Sequence, residues 1–224
     1  MKGSTSVRLT NNAYSDRNPA WSPDGAQIAF YSNRDSIGNI FIMSVDGSNQ
    51  TRLTVNGGDK PTWSADGTKI AFVSGRDGNA NTPIANVFVI NIDGSNETRI
   101  TDELPGYIYG ISWSPVGNRI VYDSIVPYNP TPGVPDYYSR GLFIINADGT
   151  GRTALPVTGA LQNACVPVWS PDGFKIAFST TRYPPREIYT VNADGSGLIQ
   201  LTNTDNTPGL ERGNYKPSWG QGSC

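Results

Sequence analysis

The chain has 224 residues, a formal net charge of −2 and no histidine, with 37% hydrophobic and 16% charged residues. That length suits one large domain with a continuous core, and a slightly acidic balance offers no basic footprint for phosphates, so nucleic acid is not an expected partner. The missing histidine removes Ser-His-Asp and Cys-His catalysis, His-ligated zinc and the usual general base near neutral pH.

In chain order, Met1-Lys2-Gly3-Ser4-Thr5-Ser6 lacks the apolar stretch of a signal peptide. No later run approaches 18 apolar residues, so no membrane insertion is expected. Thr5-Ser6-Val7-Arg8-Leu9-Thr10 then reads as the closing strand of a β-unit, and a repeat follows. All five tryptophans sit in one pattern: Trp21-Ser22-Pro23-Asp24-Gly25, Trp63-Ser64-Ala65-Asp66-Gly67, Trp113-Ser114-Pro115-Val116-Gly117, Trp169-Ser170-Pro171-Asp172-Gly173 and a clipped Ser218-Trp219-Gly220. They stand 42, 50, 56 and 50 residues apart, the length of a four-stranded propeller blade with insertions.

Each unit predicts the same four strands. The first ends at Trp-Ser, where glycine tolerates the positive φ of a tight turn. The second is Ile28-Ala29-Phe30 and its equivalents at 70–72, 120–122 and 176–178. The third is Ile40-Phe41-Ile42-Met43, with equivalents at 87–90, 142–145 and 188–191. Short apolar runs bounded by turn residues suit strands buried between blades. An Asp-Gly turn follows in each unit (Asp46-Gly47, Asp93-Gly94, Asp148-Gly149, Asp194-Gly195), a hairpin signal. The fourth strand is Arg52-Leu53-Thr54, Arg99-Ile100-Thr101, Arg152-Thr153-Ala154-Leu155 or Gln200-Leu201-Thr202. The departures are Ala65, Val116 and Leu155-Pro156, each expected to change a turn or strand end locally.

The string from Pro19 to Thr54 resembles the TolB-type, WD-repeat-like propeller repeat, and the likeness covers nearly the whole chain. The family occurs in periplasmic and secreted bacterial proteins and in the propellers of some prolyl-oligopeptidase-like enzymes, which implies a periplasmic or extracellular setting. The expected fold is an all-β β-propeller of four-stranded antiparallel blades, one domain over 1–224. Four complete blades fall at about 11–54, 55–101, 102–156 and 157–202, with a partial blade shared by the termini (4–10 and 203–224). That gives a five- or six-blade-like ring. The shared blade can close within the chain, be completed between chains, or belong to a larger protein.

The insertions carry the functional reading. In an up-and-down blade, the second-to-third-strand loops and the inter-blade connections share one rim. These segments vary most: the loops span 33–38, 75–86, 124–140 and 181–186, and the connections span 55–60, 102–109, 157–165 and 203–216. Per-repeat insertions on one face commonly form the binding face of a repeat protein. The largest, 124–140, is rich in Tyr and Pro. Tyr joins an apolar ring to a polar tip, and Pro lowers the ordering cost of a loop. The candidate partner-binding residues are Tyr107, Tyr109, Tyr128, Tyr137, Tyr138, Arg140, Tyr183, Arg186 and Tyr215; packing of the loop onto the scaffold is the competing role.

The recurring pairs Arg34-Asp35 and Arg76-Asp77 are expected to hold the scaffold. The turn aspartates lack calcium-loop spacing, so no metal is expected. No cofactor motif, catalytic residue or Gly-x-Ser-x-Gly elbow is present. Cys165 reads as a small buried residue, as a disulfide partner of Cys224, or as a link to a second chain. The leading function is a non-catalytic, protein- or peptide-binding or self-assembling module. The alternatives are the propeller of a larger prolyl-oligopeptidase-like enzyme and a carbohydrate-binding propeller.

Overall fold

Sixteen strands form four separate four-stranded antiparallel sheets in the computed structural model, which describes residues 6–78, 84–102, 106–126, 139–157, 164–180, 187–202 and 217–219. Blade 1 comprises β1 (Asp16–Trp21), β2 (Gln27–Asp35), β3 (Ile37–Ser44) and β4 (Thr51–Arg52). Blade 2 comprises β5 (Asp59–Trp63), β6 (Lys69–Ser74), β7 (Asn86–Asn91) and β8 (Thr98–Arg99). Blade 3 comprises β9 (Ile111–Trp113), β10 (Arg119–Val126), β11 (Ser139–Asn146) and β12 (Thr153–Ala154). Blade 4 comprises β13 (Ala164–Trp169), β14 (Lys175–Thr180), β15 (Ile188–Asn192) and β16 (Ile199–Gln200). Strands lie side by side in chain order, and the first strands of successive blades pack on one another. The fold is therefore a propeller whose first strands line the axis and whose two-residue fourth strands lie outermost.

The turns explain the repeated letters. In blade 2, Ser64 Oγ donates to Asp66 Oδ1 at 2.6 Å and accepts from Lys69 N at 2.9 Å, while Thr68 N donates to the same carboxylate at 3.0 Å. Blades 1 and 4 repeat this net around Asp24 and Asp172. In blade 3, where Val116 stands in place of the aspartate, Ser114 Oγ donates instead to the Val116 carbonyl at 2.6 Å. At the other turn, Asp46, Asp93, Asp148 and Asp194 each accept from the hydroxyl and amide two residues on. Hydrogen bonds from these hydroxyls hold all seven aspartates below the usual carboxylate range.

The core lies between blades, and each joint has two unlike sides. At the first, Ala29, Ile40, Ile42 and Leu53 on the back of blade 1 meet Trp63, Ile70, Phe72, Phe88 and Ile90 on the front of blade 2. The same pairing joins blades 2 and 3 around Trp113, and blades 3 and 4 around Trp169. Fully burying one such side chain contributes roughly 1.5–3 kcal/mol, so the Trp-bearing joints outweigh any single turn. Cys165 is buried with its Sγ 3.3 Å from Ser179 Oγ, and Cys224 lies outside the described residues.

Of the shared partial blade, two short segments are described, one at each end of the array. Leu9 packs on Ile28, Phe30, Phe41 and Met43 at the front of blade 1, and Gln50 Nε2 donates to its carbonyl at 3.3 Å. Trp219 Nε1 donates to the Val168 carbonyl at 3.3 Å, just as Trp63 Nε1 donates to Ala20 at 3.0 Å. Each stands where a neighbouring blade would put it: Leu9 as a preceding fourth strand, Trp219 as a following first strand.

Candidate docking rim

Antiparallel order places the second-to-third-strand loops and the inter-blade connections at one end of the blades. They touch there: Gly58 N donates to the Gly38 carbonyl at 2.9 Å, and Ala85 N to Gly106 at 3.1 Å.

In blades 1 and 2 an arginine locks this end. The Arg34 guanidinium lies 4.6 Å from the Phe41 ring, with Nε on Ser32 Oγ at 2.9 Å and Nη1 on Gln50 at 2.8 Å. Arg76 repeats it over Phe88 at 4.2 Å, with Nε on Ser74 Oγ at 3.0 Å and an ion pair to Glu97. Asp35 and Asp77 pair with Arg52 at 3.0 Å and Arg99 at 3.3 Å. These recurring pairs are scaffold contacts. Next to them, Thr54 Oγ1 bridges Ile40 N and Asn39 Oδ1 at 2.9 and 3.1 Å, and Thr101 does the same with Val87 and Asn86.

Blade 3 changes both devices in pairs. Arg152 occupies the position of Gln50 and Glu97, and its guanidinium reaches the Phe143 ring at 3.9 Å from the fourth-strand side, with Nε donating to Tyr122 Oη at 2.8 Å. Pro156 replaces the bridging threonine, and Gly141 replaces the asparagine it would have bonded. The aromatic pair keeps its cation, while the long loop is released from supplying it.

A different anchor appears at the released end. Asp123 is fully buried on β10, at the position held by Tyr31, Val73 and Ser179 in the other blades. It accepts from Tyr109 N at 2.7 Å and Val166 N at 2.8 Å, and Arg140 Nη2 lies 2.6 Å from its Oδ1. Burial pushes the Asp123 carboxyl up, with the Arg140 charge and the two amides pulling against it. The carboxylate thus ties β10 to the connection before blade 3 and to the first strand of blade 4. Arg140 also donates to the Tyr107 carbonyl and lies 4.0 Å from the Tyr109 ring centroid. The Tyr107 and Tyr109 rings, both more than half exposed, sit 6.4 Å apart.

The axis-facing strands carry a second unusual feature. Asn18, Lys60 and Val166, each preceding a proline, adopt φ near +52° to +53° at a register shift in β1, β5 and β13. For branched Val166 this is an outlier. Blade 3 has Gly110 at the matching place and no shift in its described pairing; a Cβ there would lie 2.6 Å from Val166 Cα.

Of the candidate residues, the structure brings together Tyr107, Tyr109 and Arg140. Tyr128, Tyr137, Tyr138, Tyr183, Arg186 and Tyr215 lie outside the described residues. Asp123 was missed by sequence reasoning, although a carboxylate ending the apolar run Ile120-Val121-Tyr122 was a visible irregularity. A cleft of about 300 Å³ also opens between blades 1 and 2, lined by Tyr31, Gly57, Asp59 and Arg76. Its carboxylate is already engaged by Arg17 at 3.2 Å and Asn18 at 2.7 Å. Among the described residues no three acidic or cysteine groups gather as metal ligands, and no helix is long and apolar enough to cross a membrane.

Comparison with known proteins agrees with this architecture. The family described as TolB beta propeller domain matches residues 1–87. A dipeptidyl-peptidase 5 of Porphyromonas endodontalis is 33% identical over 96 residues, 42% of this chain and 13% of that protein. A structure described as TolB from Agrobacterium tumefaciens superposes with a TM-score of 0.67 at 22% identity, covering 83% of this chain and 64% of that one. TolB from Acinetobacter baumannii gives 0.68 at 18% identity, covering 88% and 45%. The chain thus spans less than two thirds of the length of each of these proteins. Four four-stranded blades of one pattern make this chain a β-propeller, similar over residues 1–87, blade 1 and most of blade 2, to the TolB beta propeller domain family and similar in fold to the two TolB structures.

Proposed function

We propose that the chain is a non-catalytic binding module whose long-loop rim docks an extended segment of a protein or peptide, in a periplasmic or extracellular setting. The observation that carries this reading is the Tyr107–Tyr109–Arg140 group: two exposed rings held in place by an arginine that is itself anchored on a buried carboxylate. Rigid aromatic rings with polar tips supply contact area at low ordering cost, and Arg140 is locked before any partner arrives. The partners on this reading are protein or peptide, a second copy of the chain among them.

A displayed random-peptide library tests the rim. Peptides selected on the protein are expected to lose affinity about tenfold or more, ~1.4 kcal/mol, on Tyr109→Ala, and to be indifferent to Asp93→Asn on the opposite rim. Peptides that bind the Tyr109→Ala variant equally well would refute it. A second reading, the propeller of a longer peptidase-like enzyme, is favoured by the match to dipeptidyl-peptidase 5. On that reading the same rim would face a neighbouring domain, and a peptide selected on it would compete with that domain.

A further inference from the structure

The connection between blades 1 and 2 carries the chain's single Asn-Gly pair, Asn56-Gly57. Asn56 is exposed on the wall of the cleft between these blades, and among the described residues no hydrogen bond engages its side-chain amide. Gly57 puts no side chain between that amide and its own peptide nitrogen, and it holds a φ of +86°, which glycine reaches without strain. The turn aspartates also precede glycines, but bonds from hydroxyls and amides keep their carboxylates ionised, and an ionised carboxylate is a poor target for a nucleophile. The neutral amide of Asn56 has no such protection.

What restrains it is the peptide that follows. Gly57 N donates to Asn39 Oδ1 at 3.0 Å, and the Gly57 carbonyl accepts from Arg76 Nη2 at 3.0 Å. Asn39 is buried and fixed in turn, its Oδ1 accepting from Thr54 Oγ1 at 3.1 Å and its Nδ2 donating to the Ile37 carbonyl at 3.2 Å. We propose that Asn56 is a site of spontaneous deamidation gated by Asn39. Once Gly57 N leaves Asn39 Oδ1 and gives its proton to solvent, it attacks Asn56 Cγ. The new C–N bond closes a cyclic imide, and the amide nitrogen departs as ammonia with a proton from solvent. Water then adds to one of the two imide carbonyls and breaks its bond to nitrogen. One choice leaves aspartate; the other leaves isoaspartate, with the main chain running through Cβ. Water is the only co-reactant, and nothing is oxidised or reduced. Either product adds a carboxylate to a cleft already lined by Asp59 and Arg76. Isoaspartate also lengthens the main chain close to Gly58, where a Cβ would lie 2.9 Å from Phe72 Cδ2 and 3.0 Å from Ile40 Cγ1. The longer chain has little room to seat there. None of this depends on the tyrosine rim.

Ageing the folded protein at mildly alkaline pH tests this. The proteolytic fragment that carries Asn56 is followed by mass spectrometry, and isoaspartate is read by enzymatic methyl transfer. The wild-type chain is expected to convert slowly at Asn56 and ahead of its other asparagines. Asn39→Ala frees Gly57 N and is expected to speed the conversion about tenfold, the factor one released hydrogen bond allows. Thr54→Ala loosens the same corner but leaves Asn39 on Gly57, and is expected to stay within about twofold of wild type. If circular dichroism shows Asn39→Ala unfolded, Arg76→Ala frees the other side of the same peptide and is expected to speed conversion about threefold or more. A folded wild-type chain that never converts at Asn56 overturns the proposal. So do equal rates in the wild type and the folded variants, or a Thr54→Ala chain as fast as Asn39→Ala, which would make general loosening the cause.

Discussion

Blades 1 and 2 and blade 3 reach the same sheet by different internal wiring. In the first two, the arginine over the aromatic pair comes from the end of the second strand or just past it, and an asparagine–threonine bridge closes the outer edge. In blade 3 the arginine comes from the fourth strand and the bridge has become glycine and proline. Each change is paired with its complement: Arg152 takes over the cation, and the asparagine and threonine of the bridge are replaced together. The cation over the aromatic pair is what the blade requires, whichever strand sends it. In blade 3 the third strand instead starts with Arg140, which reaches Asp123 and turns a structural end into an anchor for the rim.

The comparison can be broken most severely at that new anchor. Arg140→Ala would leave a fully buried carboxylate without its cation and is expected to cost about 3–5 kcal/mol in chemical denaturation. The double variant Asp123→Asn/Arg140→Met should recover much of the loss, which a double-mutant cycle would measure. The swapped arginines come next. Arg76→Ala in blade 2 and Arg152→Ala in blade 3 are expected to cost similar amounts, about 1–2 kcal/mol each, because each removes a cation from a ring and a hydrogen bond. Arg52→Ala, an exposed pair, is expected to cost no more than about 0.5 kcal/mol in the same titration. If Arg152→Ala proves as mild as Arg52→Ala, the two wirings are not equivalent.

A smaller effect sharpens the bridge. Thr54→Ala is expected to lower stability by about 1 kcal/mol. Pro156→Thr alone should regain only the bond accepted from Leu142 N, since Gly141 offers no side-chain acceptor; adding Gly141→Asn should enlarge the gain in thermal melts. The smallest effect is acid sensitivity. The turn aspartates are held below their unfolded value of 3.8 by hydroxyl and amide donors. The stability they add is present above that value and is lost as pH falls through their lower folded values. Asp66→Asn is expected to flatten the fall of the melting temperature below pH ~4, while Val116→Asp in blade 3 should steepen it.

The repeat and its turns were legible because they are local: Trp-Ser, Asp-Gly and the apolar triplets fix strand, turn and register within a few residues. The rim was partly legible, since antiparallel alternation alone puts the long loops at one end. What Asp123 does was not, because its partners lie 14, 17 and 43 residues away and no spacing announces them. Nor does anything in the sequence distinguish Trp21 from Trp63. The same letters in the same motif are core in one blade and surface in another, because burial depends on which blade lies in front.

Gly110 has a consequence of its own. The atom a side chain there would strike is Val166 Cα, a main-chain atom that no rotamer change can move aside. One added methyl at this point would act as a wedge between the inner ends of blades 3 and 4. The closeness of the two blades at that seam thus depends on a missing carbon.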